Sequence, residues 1–148
     1  IGSSYLSGEL ISAFLYAQLE KAEFITNERL KLWNKYHAAF SDFAENEKCI
    51  IPSIPDYARH NGHIFYLILK NRFDRDTFID RMKEMNIHCV FHYIPLHNSN
   101  AGRIYGRVSG DMKNTESYSE RLVRLPLWIN LDIDTVISSA VDVLASQK

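Results

Sequence analysis

From Glu9 to about Glu45 the chain contains neither proline nor glycine, and Leu, Ala, Glu and Lys are frequent throughout. Such residues lose little freedom on entering a helix, whereas Gly and Pro would break one. The whole stretch therefore reads as helix, capped at its start by Ser7 or Gly8. Leu15, Leu19, Ala22, Thr26, Arg29, Trp33, Tyr36, Phe40 and Phe43 follow one another at steps of three or four, which lays a mostly apolar stripe along one face. Unbroken, the helix would run about 50 Å at about 1.5 Å per residue. A compact chain of 148 residues has a radius of gyration of only about 15 Å, so the helix overhangs its own domain. Either it kinks near Thr26-Asn27, or part of its stripe packs against something outside this sequence, a further domain or a second subunit. The second is the favoured expectation.

The remainder alternates shorter elements. Pro52-Ser53-Ile54-Pro55 punctuates the exit from the helix, and the apolar run from His63 to Leu69 has the length of a buried strand. Asp74 to Met85 returns to helical periodicity, with Phe78, Met82 and Met85 on the inner face and Asp74 or Asp76 where negative charge suits a helix N-terminus. Ile87 to Ile94 is a second strand, stopped by Pro95. A polar, Gly-dotted segment from Leu96 to Leu125 reads as a long binding loop or lid, interrupted by a short helix around Glu116 to Val123. Leu125-Pro126-Leu127 then leads to a closing helix from Asp132 to about Ala145, and a third strand is possible near Lys48 to Ile51. This order gives an α+β fold, a long N-terminal helix and further helices on a small sheet. No repeat or linker divides it, so residues 1–148 form one domain.

Composition narrows the function. Seventeen Lys and Arg against eighteen Asp and Glu leave a net charge of -1, which gives no broad field for a nucleic-acid backbone. No apolar run approaches the roughly 20 residues that cross a bilayer, and no signal peptide is visible. No membrane partner is expected, and the default setting is cytoplasmic. Cys49 and Cys89 form no CxxC pair and read as buried free thiols. Ile1 stands where an intact chain would carry Met, which suggests a piece of a longer protein.

Six histidines invite a metal reading, which spacing rejects. His88 and His92 lie on an apparent strand, where residues four apart are about 13 Å from each other, while zinc needs ligand nitrogens about 2 Å away. His60 and His63 lack a third ligand at a recognisable spacing, so no metal site is expected. There is no GxSxG elbow, P-loop or GxGxxG, and Ser3-Ser4 lack an assignable base. Cys89 adjoins His88, but neighbours on a strand face opposite sides. No complete catalytic set is present. What remains is His92-Tyr93-Ile94-Pro95-Leu96-His97, where Tyr93 and His97 place polar tips beside an apolar strand end, as small-molecule sites often do. The alternative is a packed strand end whose imidazole and phenol bond only internally.

Three motifs in order favour the first reading. Gly2-Ser3-Ser4-Tyr5-Leu6 runs straight into a helix, Tyr93-Ile94-Pro95-Leu96-His97 follows a strand, and Ser119-Glu120-Arg121-Leu122-Val123-Arg124-Leu125-Pro126-Leu127 precedes the last helix. Together they resemble the C-terminal part of the pyridoxal-phosphate-dependent nucleotide-sugar aminotransferases of fold type I. Gly2 to Leu6 and Phe91 to His97 look closest to the dTDP-4-oxo-6-deoxy-D-glucose transaminases that serve surface polysaccharides such as lipopolysaccharide and enterobacterial common antigen.

The resemblance covers essentially the whole chain, and it implies that the catalytic lysine, the acid facing the pyridine nitrogen and the ring-stacking aromatic all lie upstream. On this reading the large cofactor-binding domain is absent, no catalytic residue is present, and the fragment alone is inactive. Most relatives carry Gly-x-Asn-Tyr-Arg where this chain has Ser4 and Leu6. Ser4 and Tyr5 are then the cofactor-side residues, reaching the pyridoxal 5'-phosphate of a neighbouring subunit in a homodimer, without the Arg. The subgroup usually has Pro where Ser7 stands. Tyr93, His97, Arg103 and Arg107 are the residues expected at the sugar nucleotide, with glutamate as amino donor. A non-catalytic ligand-binding or interaction module is the competing class.

Overall fold

A computed structural model describes residues 5–146. Helix α1 spans Glu9–Leu19 and helix α2 spans Ala22–Glu45. The long helix is therefore interrupted, at Glu20-Lys21 and not near Thr26-Asn27. The Glu20 amide still reaches the Tyr16 carbonyl at 3.1 Å, but the Lys21 amide turns to Gln18, three residues back, at 3.1 Å. No Gly or Pro marks the place. Packing differs on its two sides. Nothing in α1 is buried, whereas Trp33, Tyr36 and Phe40 of α2 are, and a helix without a tertiary partner has only marginal intrinsic stability. The unpartnered part of the stripe is thus its N-terminal third, Leu15 and Leu19, together with Leu10, Ile11 and Phe14, all exposed. Trp33, Tyr36 and Phe40, further along the same stripe, are buried in the chain's own core.

The other elements are β1 (Phe65–Ile68), α3 (Arg72–Glu84), β2 (Val90–Phe91), a 3-10 turn (Leu96–Asn98), α4 (Asn100–Tyr105), α5 (Lys113–Arg121), β3 (Leu122–Leu125) and α6 (Ile133–Ser146). The sheet order is β1-β3-β2 with both pairings antiparallel, and the register sets Phe65 opposite Leu125, Leu67 opposite Val123 and Val90 opposite Arg124. The fold is α+β, as expected, but its central strand is one the sequence hid. Leu122 and Val123 extended a helical pattern; instead α5 stops at Arg121, and β3 alternates half-buried Leu122 and Arg124 with buried Val123 and Leu125. Four residues are too few for a periodic signature, and pairing on both sides decides the matter. The segment from Leu96 to Leu125 is accordingly no open loop.

Other boundaries moved as well. The second strand shrinks from Ile87–Ile94 to Val90–Phe91, and Tyr93 at φ 56° leaves the extended region soon after it. Near Lys48 to Ile51 a single bridge joins Ile50 to Ile68 in place of a full strand. At the start of α3 the cap is Asn71, whose side chain accepts from the Asp74 amide at 2.9 Å. Phe78 and Met82 are buried as their spacing predicts, while Met85 has become the exposed C-cap.

Phe65, Leu67, Val123 and Leu125 turn one face of the sheet toward α2, α3 and α6. Phe65 meets three aromatic rings of α2, with centroids at 5.4 Å from Trp33, 5.1 Å from Tyr36 and 6.1 Å from Phe40. The polar tips are satisfied too. Trp33 Nε1 donates to the Ile64 carbonyl at 3.1 Å, and the Tyr36 hydroxyl donates to the Pro126 carbonyl at 2.7 Å. Burial, with a smaller contribution from Cys89, pushes the Tyr36 phenol above its usual range. Burial likewise raises Cys49 to about 11 and Cys89 to about 12, and both are free, buried thiols.

One glycine fixes the approach to α4. A Cβ at Gly102 would fall 1.7 Å from the Leu96 carbonyl oxygen. Ser99 closes the same corner, its Oγ accepting from the Gly102 amide at 2.9 Å and donating to the Leu96 carbonyl at 2.7 Å.

Two outcomes follow. Tyr36→Phe leaves the Pro126 carbonyl without its buried donor and should lower unfolding stability by about 1–2 kcal/mol, read by urea titration; an unchanged midpoint would mean that water replaces the phenol. Gly102→Ala should separate the 3-10 turn from α4, seen as faster amide exchange over residues 96–105 with the core amides still protected. An unaltered exchange pattern would show that the corner tolerates a side chain.

Candidate functional site

Pro95 redirects the chain into the 3-10 turn, and Gly102 lets that turn lie against α4. Between them and the start of α5 is a cavity of about 570 Å³. His97, Arg103 and Arg107 all line it, so three of the four residues expected at the sugar nucleotide meet in one place. Leu96, Val108 and Met112 give it an apolar wall, the combination of apolar lining and few polar groups that small-molecule sites use. The His97 side chain is only 15% exposed, and its Nε2 donates to Glu116 Oε1 at 3.2 Å. That bond fixes the ring and leaves Nδ1 as the remaining polar atom.

Tyr93 sits apart from this cavity. It is 70% exposed and lines two adjoining clefts of about 480 and 340 Å³, the first shared with Arg103. The Arg124 guanidinium lies 5.3 Å over its ring. The His92 ring lies beside it at 5.4 Å, tilted by 60°, and desolvation, then the Arg124 charge, hold the imidazole below its usual pKa. Tyr5 is 95% exposed and does not line the cavity, and Ser4 lies outside the described residues.

Several contributors escaped sequence reasoning. Glu116 sits nineteen residues from His97 with no motif to join them. Gly102 did carry a signal, since Ser99 three residues earlier is a helix cap. Arg75 was missed entirely: it is buried, its Nε lies 2.8 Å from Asp76, and its guanidinium covers the Phe91 ring at 5.3 Å.

Among the described residues no group of three or more His, Cys, Asp or Glu side chains is placed to hold a metal ion. No described helix is long and apolar enough to cross a membrane. Every described lysine is exposed. The residues that line the cavity include no lysine. What they offer is a cationic and apolar wall with one fixed imidazole.

Known proteins resemble this chain in sequence and in fold. An uncharacterized protein of Methanocaldococcus jannaschii is 29% identical over 140 residues, which cover 92% of this chain and 36% of that protein. The UDP-4-amino-4-deoxy-L-arabinose–oxoglutarate aminotransferase of Shewanella sediminis is 25% identical over 159 residues, 99% of this chain and 40% of the relative. The PMP form of Spr1654, a putative sugar aminotransferase from Streptococcus pneumoniae, has the same fold with a TM-score of 0.74 at 19% identity, over 88% of this chain and 33% of that one. The chain thus spans well under half the length of each. The sequence pattern of one family runs from residue 1 to residue 142, and the chain belongs to that family, the DegT/DnrJ/EryC1/StrS aminotransferases.

Proposed function

We propose that this chain is the C-terminal domain of a pyridoxal-phosphate-dependent nucleotide-sugar aminotransferase that moves an amino group from glutamate to a dTDP-linked 4-keto-6-deoxy sugar. The observation that carries the reading is the cavity shared by His97, Arg103 and Arg107 in a chain of an aminotransferase family. The oxoglutarate in the name of the Shewanella relative supports glutamate as donor, because glutamate that has given up its amino group becomes 2-oxoglutarate. The dTDP-linked sugar rests on the resemblance of Gly2 to Leu6 and Phe91 to His97.

On this reading the two guanidinium groups take the diphosphate, for which their donor geometry suits them. His97, oriented by Glu116, offers Nδ1 to a sugar hydroxyl, and Tyr93 forms the rim nearer the sheet. Leu96, Val108 and Met112 keep water from that side. Pyridoxal phosphate, held mainly by an upstream domain that also brings the catalytic lysine, supplies the electron sink for amino transfer. Ser4 and Tyr5 reach the cofactor phosphate across a homodimer, and the exposed face of α1 joins the two subunits. On this reading the 148-residue chain is inactive alone, which fits the exposure of every described lysine.

In the full-length enzyme His97→Ala should raise the Michaelis constant for the sugar nucleotide about tenfold, the worth of one well-placed hydrogen bond. The glutamate half-reaction should be unaffected, because glutamate has no sugar to position. Equal losses in both halves would make His97 a support for fold or cofactor, and no loss would put the sugar elsewhere. For the interface, Phe14→Glu should convert the dimer to a monomer by light scattering with helix content unchanged. A dimer that survives would place the contact off α1.

A further inference from the structure

A further cavity, about 270 Å³, opens beside β2 and β3, next to the segment that leads into β1. Its charged and titratable lining is basic throughout: Arg29 of α2, His63 before β1, His88 before β2 and Arg124 of β3. No carboxylate lines it, and among the described residues none forms an ion pair with Arg29 or Arg124. In a chain whose net charge is -1, two guanidiniums without an ion-pair partner on one hollow are a local excess of positive charge, and like charges held together cost stability until an anion joins them.

The site is also rigid. Arg29 Nε donates to the Gly62 carbonyl at 3.2 Å, and its Nη2 bonds the His63 carbonyl and, at 3.2 Å, His63 Nδ1. Gly62 itself has φ 58°, and a Cβ there would stand 3.1 Å from the Arg29 carbonyl, so the turn lies directly on α2. Arg124 is set in the middle of the sheet between Tyr66 and Val90, and its Nε is buried without a partner. Guanidiniums held in this way donate to oxyanions with little further ordering.

We propose that this cavity is a phosphate-type oxyanion site, separate from the His97 cavity, with which it shares no lining residue. It takes a phosphate or diphosphate group, either free or as part of a larger ester whose organic portion would rest on Ile64, Val90 and Leu127. The inference does not depend on the chain's being an aminotransferase.

The test is a phosphorus NMR titration of the full-length, cofactor-loaded protein with inorganic phosphate, at ionic strength held constant with chloride. Arg124→Gln should weaken phosphate binding about tenfold or more, the loss of one charged hydrogen bond, while Arg124→Lys keeps most of it. Arg107→Gln, which removes the same charge from the other cavity, should leave the binding that depends on Arg124 unchanged. Equal weakening by Arg107→Gln, or no weakening by Arg124→Gln, overturns the proposal. If Arg124→Gln fails to fold by circular dichroism, His88→Gln decides: weaker binding supports the site and unchanged binding overturns it. Repeating the titration with dTDP separates the two sources. Tighter binding that Arg124→Gln abolishes identifies an ester in this site, and dTDP binding sensitive only to Arg107→Gln identifies free phosphate as its occupant.

Discussion

The fold hangs on the way α2 lies across the sheet. Trp33, Tyr36 and Phe40 crowd around Phe65, and two of these rings end in donors that reach backbone carbonyls of the two paired strands at one end of the sheet, Ile64 before β1 and Pro126 after β3. Each large ring contributes about 1.5–3 kcal/mol by leaving water, but the donors add something that burial does not. They fix where along the helix each strand end must sit. A slip of one residue would leave two buried carbonyls unpaired and turn each apolar face of the strands outward.

The candidate site inherits its geometry from that placement. β3 is held in the centre of the sheet, β2 pairs with it for two residues, and Tyr93 then departs from the extended region. Pro95 and the 3-10 turn carry the chain to Ser99, whose hydroxyl closes the corner on Gly102. His97 is thereby delivered to the same hollow as Arg103 and Arg107, with Glu116 from α5 behind it. Arg107 and Val108 enter the same lining from the irregular segment between α4 and α5.

How much of this could be read in advance depends on the length of each signal. Thirty-seven residues without Gly or Pro announced the first helices, and Phe78 and Met82 marked the inner face of α3. Short elements were lost. β3 is four residues whose pattern continues that of the helix before it, and only its two neighbours make it a strand. The break at Glu20-Lys21 left no residue-type trace because it reflects the end of tertiary support. In the site, His97, Arg103 and Arg107 were legible through a motif and its following loop. Glu116 was not, since its partnership with His97 exists only after α5 has folded back, and the basic hollow at Arg29 and Arg124 joins residues nearly a hundred positions apart.

The brevity of the sheet's outer strands also governs how such a chain would associate in error. β2 offers an incoming strand a template of two residues before Tyr93 turns away, and on the other side Ile50 already occupies part of the β1 edge, with Pro52 following. Sheets with longer free edges recruit strands from other molecules and grow into fibres. Here the open backbone is too scarce for that. The sticky surface belongs to α1, whose Leu10, Ile11, Phe14 and Leu15 present side chains on a helix with its hydrogen bonds already satisfied. Crowded copies should therefore clump through side-chain contacts that mild detergent dissolves, instead of polymerising through the backbone.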